Sequence, residues 1–349
     1  MVAKGGGLWD KVCVRVSALT DVFKVWVWAF GSLVIALWAT PVCYNGGKAL
    51  SELSATKDFN GLVNKVAAWC GAAELGDFFK VCWPLAALLL LFPLMEWLRL
   101  GNERGGKRVW SVRLPHGAGG GQPIEPNRWG PLHGVAGFCL SFGCFVLIGY
   151  ALLKAGSFRW AADYGKWHHG LFFDIGWALT LAVVMEFFFR CVLLGIFLRA
   201  MGVWSAIALA AVMFGMVHFL MSGFAVAKAL DGEMLSAVQL TGTLLAGGDL
   251  AMRVVTVFVP WFAFGCVLGW ARWRTASVWL PASLLMGWLL ADRLFTKATD
   301  VVEIPDRLAA FVSAGSVHEG IAPFLGVIAV GGMVHIFTYL NASGREARD

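Results

Sequence analysis

Three residues in the apolar middle of the chain have side chains that could do chemistry together. Glu186 and Arg190 are four positions apart, so a helix would carry both on one face. His218 follows in the next apolar stretch. At about 1.5 Å of rise per residue, Glu186 and His218 each lie roughly 20 Å from the turn between their helices, which predicts a common depth. A carboxylate and an imidazole at one level could activate a water molecule as a general base.

The same residues also have a purely structural interpretation. Glu186 and Arg190 would neutralise each other as an ion pair, and a histidine in an apolar helix often hydrogen-bonds a neighbouring helix. Charged groups within a membrane cost about 2.5–3.5 kcal/mol each on insertion scales, so these positions are the first candidates for a functional site. A catalytic zinc takes more protein ligands than one glutamate and one histidine, so we expect no metal or other cofactor.

The composition requires membrane-spanning helices to position these residues. Of 349 residues, 59% are hydrophobic and 14% are charged. Soluble domains have about a quarter of their residues charged and disordered chains have little apolar content, so both classes are excluded. Because a span needs about 20 mostly apolar residues, the pattern predicts an all-α, polytopic membrane helix bundle with about eight transmembrane helices. The predicted spans are roughly 25–43, 81–98, 134–153, 171–199, 203–222, 252–271, 277–291 and 321–340.

Basic residues favour one side of this predicted bundle. The N-terminal tail, the loop 99–133 and the turns that carry Arg199, Arg272 and Arg274 all fall on one side if the spans alternate. The positive-inside rule then places both termini in the cytoplasm. We therefore interpret the formal net charge of +6 as a topology signal. Membrane lipids are expected partners, and nucleic acid is not.

The predicted spans and loops divide the chain into two regions. Residues 1–133 form an N-terminal region with two spans and a basic cytoplasmic loop, and residues 134–349 form the membrane core. Cys43, Cys70 and Cys82 lie at or beyond the outer interface. A disulfide among these three and free thiols are equally expected, because the redox state of that side is not readable from the sequence.

The stretch 185–218 resembles a known family. It reads MEFFFRCVLLGIFLRAMGVWSAIALAAVMFGMVH, which is similar to the CPBP family of intramembrane peptidases. That family includes CAAX prenyl endopeptidases and bacteriocin-processing, Abi-like proteins. Its first two motifs are EExxxR and FxxxH. Glu186 and Arg190 match the second Glu and the Arg, and Phe214 and His218 match the second motif.

A later stretch extends the resemblance. Residues 262–288 contain GW-x-R-x-RT, then S-x-W and P, as in the family's approach to its third motif. The resemblance covers roughly 171–291, with several elements in the family's order and spacing. It implies a peptidase-type core in this part of the chain, with Arg190 and Phe214 supporting the site.

Three positions depart from the family's catalytic pattern. The first Glu of EExxxR, the family's water-activating base, is Met185 here. The third motif, HxxxN, supplies the oxyanion donors and falls on Leu285 and Leu289, or on Met286 and Leu290 if the preceding turn is one residue longer. Methionine and leucine side chains cannot take a proton or donate a hydrogen bond here. The resemblance therefore implies an impaired peptidase, or a pseudoprotease that binds a membrane protein or peptide.

Two alternatives remain open beside that reading. An active intramembrane peptidase could use Glu186 and His218 if the helix rotated, since adjacent helical residues differ by about 100°. A transporter or membrane scaffold is a weaker alternative, because transporters carry more intramembrane polar residues and matching broken helices. The resemblance fits a prokaryotic inner membrane, and the sequence does not identify the substrate or partner.

Overall fold

Helices form nearly all of the described chain. The computed structural model describes residues 8–57, 59–98, 129–162, 164–226, 242, 250–302 and 320–346. The helices are α1 (Leu8–Thr56), α2 (Gly61–Ala72), α3 (Leu75–Trp97), α4 (Gly130–Lys154), α5 (Leu171–Glu186), α6 (Leu194–Ala200), α7 (Val203–Val226), α8 (Leu250–Arg253), α9 (Val259–Thr275), α10 (Trp279–Ala298) and α11 (Ile321–Glu346). Two π-helical segments, π1 (Phe187–Leu193) and π2 (Val254–Phe258), join α5 to α6 and α8 to α9. Two short strands, β1 (Phe158–Trp160) and β2 (Thr299–Val301), pair antiparallel.

Seven segments of the described chain are long and apolar enough to cross a membrane. The seventh predicted span, 277–291, falls almost entirely within α10, a helix of 20 residues whose second half carries charged side chains. At about 1.5 Å per residue such a helix is roughly 30 Å long. The all-α bundle of about eight spans is therefore confirmed, and the chain is an integral membrane protein. The seven segments are Leu19–Thr56, Leu75–Trp97, Gly130–Lys154, Leu171–Leu198, Val203–Ser222, Leu250–Thr275 and Ile321–Tyr339.

The first helices are longer than hydropathy predicts. α1 continues to Thr56 and α3 begins at Leu75, so most of the segment 44–80, which the predicted spans leave as a loop, is helical. α2 lies between them, and its start is capped by the Asn60 side chain, which accepts the Val63 N–H at 3.0 Å. Polar residues and contacts with neighbouring helices extend these helices beyond the apolar stretches, and a hydropathy window does not detect that.

The predicted orientation depends on basic residues that the structure describes only in part. Residues 99–128 of the predicted basic loop lie outside the described residues. The cytoplasmic placement of both termini therefore stays a prediction, as does the predicted boundary between residues 133 and 134.

The chain divides into two compact units. The larger consists of Met1–Ala18, Gly106–Met216 and Met252–Asp349, and the smaller of Leu19–Gly105 and Val217–Ala251. Each unit is held together by contacts among its own helices.

In the larger unit, glycines let α4 and α10 pack closely. A Cβ atom on Gly137 would lie 3.0 Å from the carbonyl oxygen of Leu280. One on Gly287 would lie 2.7 Å from the carbonyl oxygen of Phe138. Small residues at helix contacts are the usual means of association in lipid, because they allow van der Waals contact between backbones. This contact fixes α10, the helix that carries the predicted third-motif positions.

The smaller unit has a core where α1, α2 and α3 meet. Tyr44 and Phe78 pack edge to face with ring centroids 5.5 Å apart. Lys48 donates to the carbonyl oxygens of Gly71 and Ala73 at 2.8 and 3.0 Å, which places a cation at the C-terminal end of α2. The buried core residues are Ala36, Leu37, Tyr44, Cys70, Ala73, Leu75, Phe78, Phe79, Cys82 and Ala86.

The three cysteines considered for a disulfide all lie in this unit. The structure has Cys43, Cys70 and Cys82 as free thiols, which is one of the two predicted states. The side chains of Cys43 and Cys82 lie close enough to interact electrostatically. Cys43 is exposed and Cys82 is buried.

Candidate functional site

Glu186 and Arg190 meet where α5 passes into π1. An Arg190 Nη1 atom lies 2.9 Å from Oε1 of Glu186, and the two side chains are only 2% and 1% exposed. The i, i+4 spacing thus brings them together as predicted. The helix widens from α to π geometry at this point, with Arg190 inside the π segment. Single π turns within α-helices are frequent at functional sites, so this segment is a candidate for a functional site.

The guanidinium of Arg190 is held on three sides. Its Cζ atom lies 4.4 Å from the ring centroid of Phe214 and 5.8 Å from that of Phe189. Nη2 donates to the carbonyl oxygen of Gly265 at 3.4 Å. Phe214 is fully buried, so this cation–π contact is shielded from water and correspondingly strong. The planar guanidinium can stack on rings and form an ion pair at once, which a lysine could not do.

A close approach of α7 and α9 brings the Gly265 carbonyl oxygen within hydrogen-bonding distance of Arg190. A Cβ atom on Gly265 would lie 3.0 Å from the Cα of Ala211 and 3.3 Å from the Phe214 ring. On the same helix a Cβ atom on Gly269 would lie 3.0 Å from Ile207. These glycines, four residues apart, form the small-residue face that lets membrane helices meet. The carbonyl of Gly265 is thereby brought within reach of Arg190.

Arg272 is a further member of this cluster, and the sequence analysis missed it. We expected it in a loop between two spans, and that expectation is wrong because α9 continues to Thr275. The Arg272 side chain is fully buried. Its charge lies within electrostatic range of the Glu186 carboxylate. The sequence signal for it is the first arginine of GW-x-R-x-RT.

His218 lies on α7, one helical turn after Phe214. Its side chain is partly buried, and its Nε2 atom is shielded from solvent. The boundary between the compact units falls just before it, since Met216 ends one segment of the larger unit and Val217 begins the second segment of the smaller. The structure therefore brings Glu186, Arg190 and Phe214 together, and the pairing of Glu186 with His218 stays a prediction.

The three substituted family positions lie on two helices of the larger unit. Met185 directly precedes Glu186 and is partly buried. Leu285 on α10 is 1% exposed, and Leu289 lies one turn further along and is partly buried. Their side chains supply neither a base nor an oxyanion donor. Their assignment to the family's catalytic positions stays a prediction.

This cluster keeps charged side chains within the membrane, and burial and contacts hold those side chains in place. One carboxylate lies among two guanidinium groups, and all three side chains are at most 2% exposed. Glu186 and Arg190 form an ion pair, and the nearby Arg272 leaves the cluster with one positive charge in excess. The fold and this site together define a polytopic α-helical membrane protein with a buried Glu–Arg pair packed against Phe214 of α7.

A comparison with family models identifies the class further. Residues 167–290 match the model described as type II CAAX prenyl endopeptidase, Rce1-like. The matched stretch contains the positions that we predicted for the three motifs, and it confirms the resemblance to the CPBP family for this part of the chain. The match supports an intramembrane peptidase-type function. No curated protein and no solved structure matches the chain significantly.

Proposed function

We propose that this protein is a catalytically impaired member of the CPBP-type peptidases that binds a membrane segment of a partner protein or peptide without cutting it. The Rce1-like match supports the peptidase-type part of this proposal. The non-cutting part is supported by the residues at the family's catalytic positions. Met185 replaces the base, and Leu285 and Leu289 replace the oxyanion donors.

The expected loss of rate is large. A general base contributes about 10²–10⁴-fold. An oxyanion donor contributes about 10²–10³-fold. Effects of residues that act as a unit do not simply multiply. Even so, either loss alone would reduce peptide hydrolysis to a small fraction of a working enzyme's rate.

The main observation behind the proposal is that Glu186 is buried and paired with Arg190. Oε1 of Glu186 lies 2.9 Å from Arg190, and the carboxylate is shielded from solvent. To replace the missing base, Glu186 would have to leave this partner and turn by about 100° around its helix. Leaving Arg190 buried without its carboxylate would cost several kcal/mol, on the order of 3–5 for a broken buried pair.

The runner-up is an active intramembrane peptidase that uses Glu186 and His218. It is favoured by the retention of Phe214 and His218 at the family spacing on α7. A transporter or membrane scaffold is a weaker candidate, since the cluster is already self-neutralised in part and no described feature points to an ion path. We further propose a prokaryotic inner membrane with both termini in the cytoplasm, which the basic loops support.

Site-directed photo-crosslinking tests binding and cutting together. A photoreactive amino acid would replace Met185 in protein expressed in native membranes, and captured partners would be identified by mass spectrometry. The matched control is the same amino acid at Leu325, an exposed position on α11. We expect a discrete membrane protein or peptide captured whole at residue 185 and not at residue 325. Capture of only a cleaved fragment, or equal capture at both positions, would overturn the proposal.

A further inference from the structure

A second charged cluster lies at the other end of α5, about 18 Å along the helix from Glu186. Asp174, in the first turn of α5, is fully buried. Its two carboxylate oxygens accept hydrogen bonds from Nε of Arg293 and Nζ of Lys297. The two cations are four residues apart near the end of α10, so one helix face presents both. We call Asp174, Arg293 and Lys297 the triad.

The triad has more positive than negative charge. Two cations share a single carboxylate, and the first turn of α5 adds the positive end of a helix dipole. The Arg293 and Lys297 side chains are 33% and 36% exposed, whereas Asp174 is 0% exposed. Asp174 therefore contacts the two cations on their buried side, and part of each cation stays exposed at the protein surface. An anion could approach them from there without displacing Asp174.

Arg293 keeps hydrogen-bonding capacity in this arrangement. Only its Nε atom is used for Asp174, and its Nη groups have no acceptor among the residues that the structure describes. Lys297 also donates to the carbonyl oxygen of His169, at 3.5 Å. A guanidinium with two unused N–H edges and an adjacent ammonium is suited to a phosphate group, which accepts several hydrogen bonds at once.

Aromatic side chains at the triad and in the connection before α5 indicate that the triad lies at membrane headgroup level. The Arg293 guanidinium lies 4.9 Å from the Trp177 ring centroid and 5.8 Å from that of Phe173. Phe172 and Phe173 are 90% and 69% exposed. Tryptophan and tyrosine gather at the membrane–water interface, and the connection before α5 has both in exposed positions. These exposed aromatic residues are Trp160, Tyr164 and Trp167.

We propose that Arg293 and Lys297 bind the phosphate of an anionic phospholipid, whose acyl chains lie on Phe172 and Phe173. Charge complementarity selects the phosphate, and the exposed rings select a lipid over a free phosphate ion. Free phosphate would gain nothing from apolar rings beside the cations, whereas an acyl chain covers them. This site is separate from the proposed peptide-binding function and does not depend on it.

Lipid binding can be measured by native mass spectrometry of the purified full chain in detergent. Dioleoyl phosphatidylglycerol is titrated against the parent, with dioleoyl phosphatidylcholine as the neutral lipid and inorganic phosphate as the free anion. We expect the parent to bind phosphatidylglycerol more tightly than phosphatidylcholine. The variant Arg293→Gln/Lys297→Gln should lose this preference by at least about tenfold, because both charge-assisted hydrogen bonds to the phosphate are removed.

Two further variants keep the result interpretable. The double variant leaves Asp174 buried without its partners and could fail to fold, so the triple variant Asp174→Asn/Arg293→Gln/Lys297→Gln removes all three charges together. Arg159→Gln is the matched control, because Arg159 is a 72% exposed cation on β1, outside the triad. It should keep the preference. Equal affinity of the parent for both lipids, an unchanged preference in a folded triple variant, or competition by inorganic phosphate at the same affinity would overturn the proposal.

Discussion

The guanidinium of Arg190 lies 4.4 Å from the ring centroid of Phe214, so the charge that neutralises Glu186 rests on an aromatic ring of another helix. This contact joins π1 to α7 through packing. Phe214 therefore has an electrostatic role besides packing, because its ring stabilises a cation that has no access to water. The same contact orients Arg190 so that Nη1 faces Glu186 while Nη2 reaches the backbone of α9.

Glu186→Gln should destabilise the protein markedly. It leaves Arg190 buried without its carboxylate, which costs about 3–5 kcal/mol for a broken buried pair. The double variant Glu186→Gln/Arg190→Gln should recover part of the loss, because Arg190 is then no longer a buried charge without its partner, and the recovery is incomplete because Arg272 keeps its charge. Thermal unfolding in detergent measures both. If Glu186→Gln melts like the parent, the pair does not stabilise this helix.

Arg272 should be energetically coupled to Glu186. Its charge acts on the carboxylate, so Arg272→Gln should have a different effect in the parent than in Glu186→Gln. Contacting charges typically couple by about 0.5–3 kcal/mol in double-mutant cycles. Arg274 lies two residues away and is only partly buried, and its guanidinium lies over Trp270, so it is the matched control. Equal coupling of Glu186 to Arg272 and Arg274 would show that Arg272 is not part of the cluster.

Gly265→Ala should weaken the contact between α7 and α9. The added Cβ would lie 3.0 Å from the Cα of Ala211, which is backbone and cannot rotate away. Overpacking of this kind costs about 1–3 kcal/mol. Gly332→Ala on α11 is the control, because a Cβ there meets nothing within 4 Å. Detergent melting temperatures should fall for the first variant and not for the second, and equal temperatures would contradict the described packing.

Cys43 and Cys82 should form a disulfide on mild oxidation. Their thiols lie close to each other, so removal of two electrons and two protons by an added disulfide reagent can link α1 to α3. Mass spectrometry of peptides from the oxidised protein would show Cys43 linked to Cys82. Cys139, which is exposed on α4, is the control and should not join Cys82. A mixture of links with no preference would mean that the two thiols are not held together.

The sequence predicts the helix bundle well because apolar length is a strong signal in a membrane protein. It also predicts the Glu186–Arg190 pair, since i, i+4 spacing fixes a common face whenever the helix forms. It predicts poorly where polar residues extend a helix, as in α1 and α2. There the helix depends on propensity, capping and tertiary contacts, which hydropathy does not register.

Arg272 shows a second limit of sequence reasoning. The local sequence around a basic residue near the end of a span is the same whether its side chain lies in a cytoplasmic loop or points to a buried carboxylate. Only the continuation of α9 to Thr275 distinguishes these alternatives. The triad was missed for a related reason, because Asp174 and Lys297 are 123 positions apart and no local spacing links them.

The central claim is the proposal that this protein does not cut its partner. The most direct measurement compares the new protein termini in native cells that express either the parent or His218→Ala at equal levels. His218 is the family-type histidine still present in the matched region, so any cleavage by the parent should depend on it. We predict that the two sets of termini coincide. Cleavages that occur with the parent and vanish with His218→Ala would contradict the account and identify a working intramembrane peptidase.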